Sequence, residues 1–69
     1  MQAFEITLNA EPHSVGLGTT IGQLLGELKV DARRVAVEVN QQLVPRSHHD
    51  SRQLQPGDQL EIVTLVGGG

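Results

Sequence analysis

The stretch TTIGQLLGELKV, residues 19–30, decides the fold, because here the period of the chain changes. Ile21, Leu24, Leu25 and Leu28 recur at i, i+3, i+4 and i+7, the spacing of one helix face. Thr20 followed three residues later by Gln23 has the form of a capping box. Gly22 and Gly26 each cost about 1 kcal/mol relative to Ala inside a helix. The spacing therefore predicts one short helix that depends on packing against another element.

The flanking segments alternate with period two. In AFEITLN, residues 3–9, Phe4, Ile6 and Leu8 fall on one face and Glu5 and Thr7 on the other, which predicts a half-buried strand. NAEP supplies turn residues, and HSVGLG, residues 13–18, is expected to return as a short strand with Val15 and Leu17 inward. After the helix VDARR leads into VAVEVN, residues 35–40, with Val35, Val37 and Val39 on one face. NQQ reads as a turn, and LVPR as a short strand closed by Pro45. SHHDSRQLQ, residues 47–55, reads as a loop with a helical turn around Leu54. PGD is a turn in which Gly57 takes positive φ. QLEIVTLV, residues 59–66, is the last strand, with Leu60 and Ile62 toward the core and Val63 and Leu65 outward.

This order predicts an α+β domain: a mixed sheet of four to five strands packed on one main helix, the first and last strands side by side at its centre. The pattern alone carries the α+β class; it is the resemblance to ubiquitin-like domains that implies the β-grasp topology. The domain is expected to occupy residues 1–66, with Gly67–Gly69 as a disordered glycine tail.

With 69 residues the chain makes one small domain, which buries only about 60% of the surface its unfolded form exposes. Such a core is thin and leaves no room for a deep catalytic pocket. The net charge of −3 and a single aromatic, Phe4, argue against nucleic-acid binding, which needs basic faces and stacking platforms. The absence of cysteine excludes disulfides, thiolate metal sites and a cysteine nucleophile, and fits a cytoplasmic location. No run approaches 18 apolar residues, so no membrane span is expected. MQAFEITLN lacks the basic start and apolar stretch of a secretory signal.

RSHHDSR holds Ser47, His48, His49, Asp50 and Ser51, the residue types of a hydrolase triad. A triad needs side chains converging from separated positions, whereas neighbours in one loop point apart. Adjacent histidines rarely hold a metal without further ligands, and only His13 remains, so no metal site is expected. The loop is assigned no chemistry, and substitution of His48 or His49 is expected to harm neither function nor stability. GLGTTIG has glycines before a helix but lacks the P-loop lysine, so a turn and helix cap explain it. Arg33, Arg34, Arg46 and Arg52 read as scattered solvated charges.

The chain closes on Gly67, Gly68 and Gly69 directly after an apolar strand. Glycine lacks a Cβ and takes φ of either sign, which suits a segment that threads a narrow channel. The functional atoms there would be main-chain atoms. A terminal carboxylate activated by ATP as an acyl-adenylate becomes open to attack by a sulfur nucleophile.

Over its whole length the chain resembles the small sulfur carriers of the ThiS type, which serve thiamine thiazole biosynthesis. GTTIGQLLGEL, VAVEVNQQLVPR, PGDQLEIVTLVGG and the terminal glycines carry the resemblance, VNQQLVPR and GDQLEIV most specifically. It implies a carrier with no enzymatic activity and no bound cofactor of its own. An E1-like adenylating enzyme would activate Gly69 with ATP and magnesium. A sulfur donor would supply the sulfur of a C-terminal thiocarboxylate, and thiazole synthase would consume it. The family's Gly-Gly falls on Gly68 and Gly69; Gly67 departs from the usual larger residue and should loosen the tail. Val63, Leu65 and Val66 are expected to form the partner surface. Carriers for molybdopterin or cysteine biosynthesis, and a β-grasp interaction module with an idle tail, are the alternatives.

Overall fold

A computed structural model of the chain describes residues 2–65. Five strands form one sheet: β1 (Ala3–Leu8), β2 (Glu11–Gly16), β3 (Val35–Val39), β4 (Gln42–Val44) and β5 (Gln59–Thr64), in the order β2-β1-β5-β3-β4. β1 runs parallel to β5, and every other neighbouring pair is antiparallel, so the first and last strands meet at the centre. The helix α1 (Ile21–Glu27) covers one face. Ile21, Leu24 and Leu25 pack with Ile6, Val15, Val37, Val39, Leu54 and Leu60 in a single core.

Two-residue turns join both hairpins. Asn9 and Ala10 have φ of 50° and 69°, and Asn40 and Gln41 have φ of 53° and 71°, the left-handed pairs of type I′ turns. The β1–β2 turn is tighter than NAEP suggests, and β2 begins at Glu11 and contains Pro12. β2 is an edge strand, where a residue without an N–H breaks no inner ladder.

Leu17 does not face the core: it is 69% exposed. β2 stops at Gly16, and the Thr19 N–H donates to the Gly16 carbonyl at 3.2 Å. Gly18 at φ +89° completes a turn that carries Leu17 outward before the alternation reaches it.

The helix start is fully satisfied. Thr20 and Gln23 form the reciprocal capping box, at 3.2 and 3.0 Å. The N–H groups of Ile21 and Gly22 donate to the carbonyls of Arg52 and His49, at 3.1 and 2.9 Å. Thus all four amides that a helix leaves unpaired at its start have partners. At the far end the Val30 N–H reaches the Leu25 carbonyl and the Lys29 N–H reaches Gly26, with Lys29 at φ 59°, a Schellman closure.

The segment after β4 is a clamp on that helix start. Its helical turn lies at Arg46–His48 and not around Leu54; Leu54 instead donates its N–H to the Thr19 carbonyl at 2.9 Å, beside a Thr20–Gln53 bridge. His49, expected to be expendable, is only 4% exposed, and its Nε2 lies 3.1 Å from the Val44 carbonyl. The positions that link loop and helix are far apart in sequence, so local pattern does not reveal them.

Candidate functional site

β5 is the central strand, and its end leads toward the terminal glycines. Its start is fixed by Asp58, which is 6% exposed. The Asp58 carboxylate accepts from the Asn40 side chain at 3.0 Å, from the Gln55 N–H at 2.8 Å and from Arg52 at 3.5 Å. The Asn40 Oδ1 in turn accepts from the Gln59 N–H at 3.0 Å. This network ties the β3–β4 turn to the first residue of β5.

On the β1 side the ladder is only two residues long, Thr7 with Gln59 and Leu8 with Leu60. Asn9 then turns away at positive φ, but its side chain continues the pairing. Its Oδ1 accepts from the Ile62 N–H at 2.8 Å, and its Nδ2 donates to the Ile62 carbonyl at 3.4 Å.

At the strand's exit the Leu65 N–H donates to the Arg34 carbonyl at 2.8 Å. Arg34 closes a short 3-10 turn, Ala32–Arg34, capped by Asp31. The Arg33 side chain and N–H both donate to the Asp31 carboxylate and hold its pKa down at about 2.

Leu60 is buried and Ile62 half-buried, while Val63 and Leu65 are 53% and 56% exposed, as their alternation predicts. Leu43, not singled out from the sequence, is 65% exposed on the same outer face. The registers Leu43–Glu38 and Glu38–Glu61 place it across β3 from β5. The alternation of QLV, with Val44 half-buried, was the signal for it. Val66, Gly67, Gly68 and Gly69 lie outside the described residues.

The Ser47–Ser51 segment brings no nucleophile to a base. Ser51 donates its hydroxyl to the His48 carbonyl, and the His49 ring faces the Val44 carbonyl. Among the described residues no group of three His, Asp or Glu side chains is arranged to hold a metal ion. No helix among them is long and apolar enough to cross a membrane.

A mixed five-stranded sheet grasping one helix, with the last strand at its centre, defines a β-grasp domain of the ubiquitin-like class. The chain belongs to the ThiS family, whose model matches residues 3–69. It is 31% identical to the sulfur carrier protein ThiS of Escherichia coli over 65 residues, covering 94% of this chain and 98% of that one. A crystal structure of the thiamine biosynthesis protein ThiS from Geobacter metallireducens superposes with a TM-score of 0.84. That similarity covers 96% of this chain and all of the other, at 32% identity. The chain is also 43% identical over 65 residues to a thiazole synthase of Paramagnetospirillum magneticum. It spans only 20% of that protein's length.

Proposed function

We propose that this chain is the sulfur carrier of thiazole formation in thiamine biosynthesis, with Gly69 as the residue that bears the sulfur. The chain itself catalyses nothing in this reading. An E1-like adenylating enzyme of the ThiF type binds ATP and magnesium. A Gly69 carboxylate oxygen attacks the α-phosphorus, and pyrophosphate leaves. A hydrosulfide-level sulfur from a separate donor then adds to the acyl carbon. AMP departs with the electrons of the broken C–O bond, leaving a thiocarboxylate. Thiazole synthase takes that sulfur.

Gly67 and Gly68 let the end enter both partners, because no Cβ obstructs a narrow channel. Val63, Leu65 and Val66 dock the partner beside that entry. ATP-dependent activation and a cysteine-free chain suit the cytoplasm.

The observation that carries this reading is the family match over residues 3–69, turns and tail included. The thiazole synthase relatives support the choice of acceptor. A region similar to this chain makes up a fifth of their length, so carrier-like and synthase-named sequence share one polypeptide. Joining two partners covalently raises their effective concentration, which is useful where one must act on the other.

The acceptor is tested with the thiocarboxylate form of the full chain and two purified proteins, thiazole synthase and a molybdopterin-synthase large subunit. Thiazole synthase with its other substrates is expected to return the carrier to the carboxylate mass. Loss of sulfur only to the molybdopterin enzyme would overturn the thiamine assignment.

A further inference from the structure

Arg34 and Leu65 face each other one step beyond Val35 and Thr64, the last pair of the β3–β5 ladder. Hydrogen-bonded antiparallel partners exchange two backbone bonds. This pair makes one, from the Leu65 N–H to the Arg34 carbonyl at 2.8 Å. The Arg34 N–H is turned into the 3-10 turn instead, where it donates to the Asp31 carbonyl at 2.9 Å. The turn thus ends the ladder at Leu65, the last described residue.

Asp31 fixes that turn. Its carboxylate accepts from the Arg33 N–H at 2.9 Å, the N-cap bond, and from the Arg33 side chain at 3.2 and 3.1 Å. Val30 and Ala32, on either side of Asp31, both pack against the core. The Val30 N–H is in turn held by the Leu25 carbonyl at 3.0 Å, at the end of the helix. The Arg34 carbonyl that receives Leu65 is therefore held in place against both helix and sheet.

We propose that Asp31 is a positioning residue for the adenylation of Gly69: by capping the Ala32–Arg34 turn it fixes Leu65, the point from which the carboxylate is presented. The proposal rests on the carrier reading. Only four residues, Val66 to Gly69, follow Leu65, and fully extended they reach at most about 14 Å. A reach that short needs a fixed origin. With its N–H bonded, Leu65 meets the adenylating enzyme already ordered. Without that bond its backbone is fixed only on binding, which costs roughly tenfold in affinity. Once bound, the carboxylate meets ATP in the same place, so the loss falls on KM and not on kcat. What acts is the oxygen that accepts the Arg33 N–H, not the charge of Asp31, and an asparagine side chain supplies the same oxygen.

The test follows hydrogen exchange at the Leu65 amide of the full chain alone, and pyrophosphate release when that chain is the substrate of the purified adenylating enzyme of the same organism. Asp31→Ala is expected to speed Leu65 exchange and raise KM, each roughly tenfold, with kcat unchanged. Asp31→Asn should return both to wild type. Thr20→Ala removes the cap of the helix instead, and should lower the thermal midpoint without moving Leu65 exchange or KM. Leu65 exchange or a KM that Asp31→Ala leaves unchanged would overturn the positioning role and spare the carrier reading. So would a KM that Asp31→Asn does not restore or that Thr20→Ala raises equally. A wild-type chain that releases no pyrophosphate would overturn both.

Discussion

Gly22 lies so close to Asp50 that a β-carbon added to it would overlap the Asp50 Oδ1. Its N–H donates to the neighbouring His49 carbonyl, so helix and loop meet backbone to backbone. Gly26, one turn later, has nothing within 4 Å of the same position. The same substitution should therefore differ between two sites in one helix. Gly26→Ala should stabilise by up to about 1 kcal/mol through helix propensity. Gly22→Ala gains the same propensity but must swing the exposed Asp50 carboxylate aside, so it is expected to stabilise less. Urea denaturation of both variants checks this, and a gain at Gly22 equal to or larger than that at Gly26 would contradict it.

The two histidines of the same loop should also separate. His49→Ala removes a buried ring and its contact with the Val44 carbonyl, and is expected to cost about 2–3 kcal/mol. His48→Ala alters an exposed side chain and should stay within about 0.5 kcal/mol of wild type. Both variants should still acquire sulfur when folded. Equal thermal midpoints for the two would refute the structural role assigned to His49.

Asn9 supports β5 where β1 has ended. Asn9→Gly keeps the positive φ but loses both bonds to Ile62, and is expected to destabilise by about 1–3 kcal/mol. The local signature is faster hydrogen exchange at the Ile62 amide in Asn9→Gly. Exchange at that amide as slow as in wild type would show that the side chain is not its partner.

Asp31 contributes to the acid limb of the stability curve. Arg33 lowers its pKa from 3.8 to about 2 in the folded chain. Because the folded value lies below the unfolded one, the contribution is complete above about pH 4 and is lost as pH falls toward 2. The Asp31–Arg33 pair lies at the surface, so the effect is small and salt-sensitive. Asp31→Asn should flatten the thermal midpoint profile in that interval. An unchanged profile would remove Asp31 from the acid response.

The architecture was legible because its signals are local. Ile21, Leu24 and Leu25 announce the helix by period, Thr20 and Gln23 announce its cap, and alternation orients Val37, Leu60 and Val63. What escaped depends on partners distant in sequence. Leu17 continues the alternation of β2, yet a turn at Gly18 ends the strand first. His49 sits in a polar stretch without period, and its burial comes from contact with Gly22 and Val44. The exposed Val63 and Leu65 were readable from β5 alone, whereas Leu43 joins their face only through the register of three strands.

The central claim is that sulfur is carried on the carboxylate of Gly69, and intact mass tests it most directly. The full chain is incubated with the adenylating enzyme, magnesium, ATP and sulfide, alongside a form with one alanine appended after Gly69. Wild type is expected to gain about 16 Da, one oxygen replaced by sulfur. The appended residue moves the carboxylate by up to about 3.5 Å, and misplacement by 1 Å can cost about 100-fold in rate. The extended form should therefore gain nothing, with its thermal midpoint unchanged. An extended chain that acquires sulfur at its new terminus, or a wild type that never does, would contradict the account.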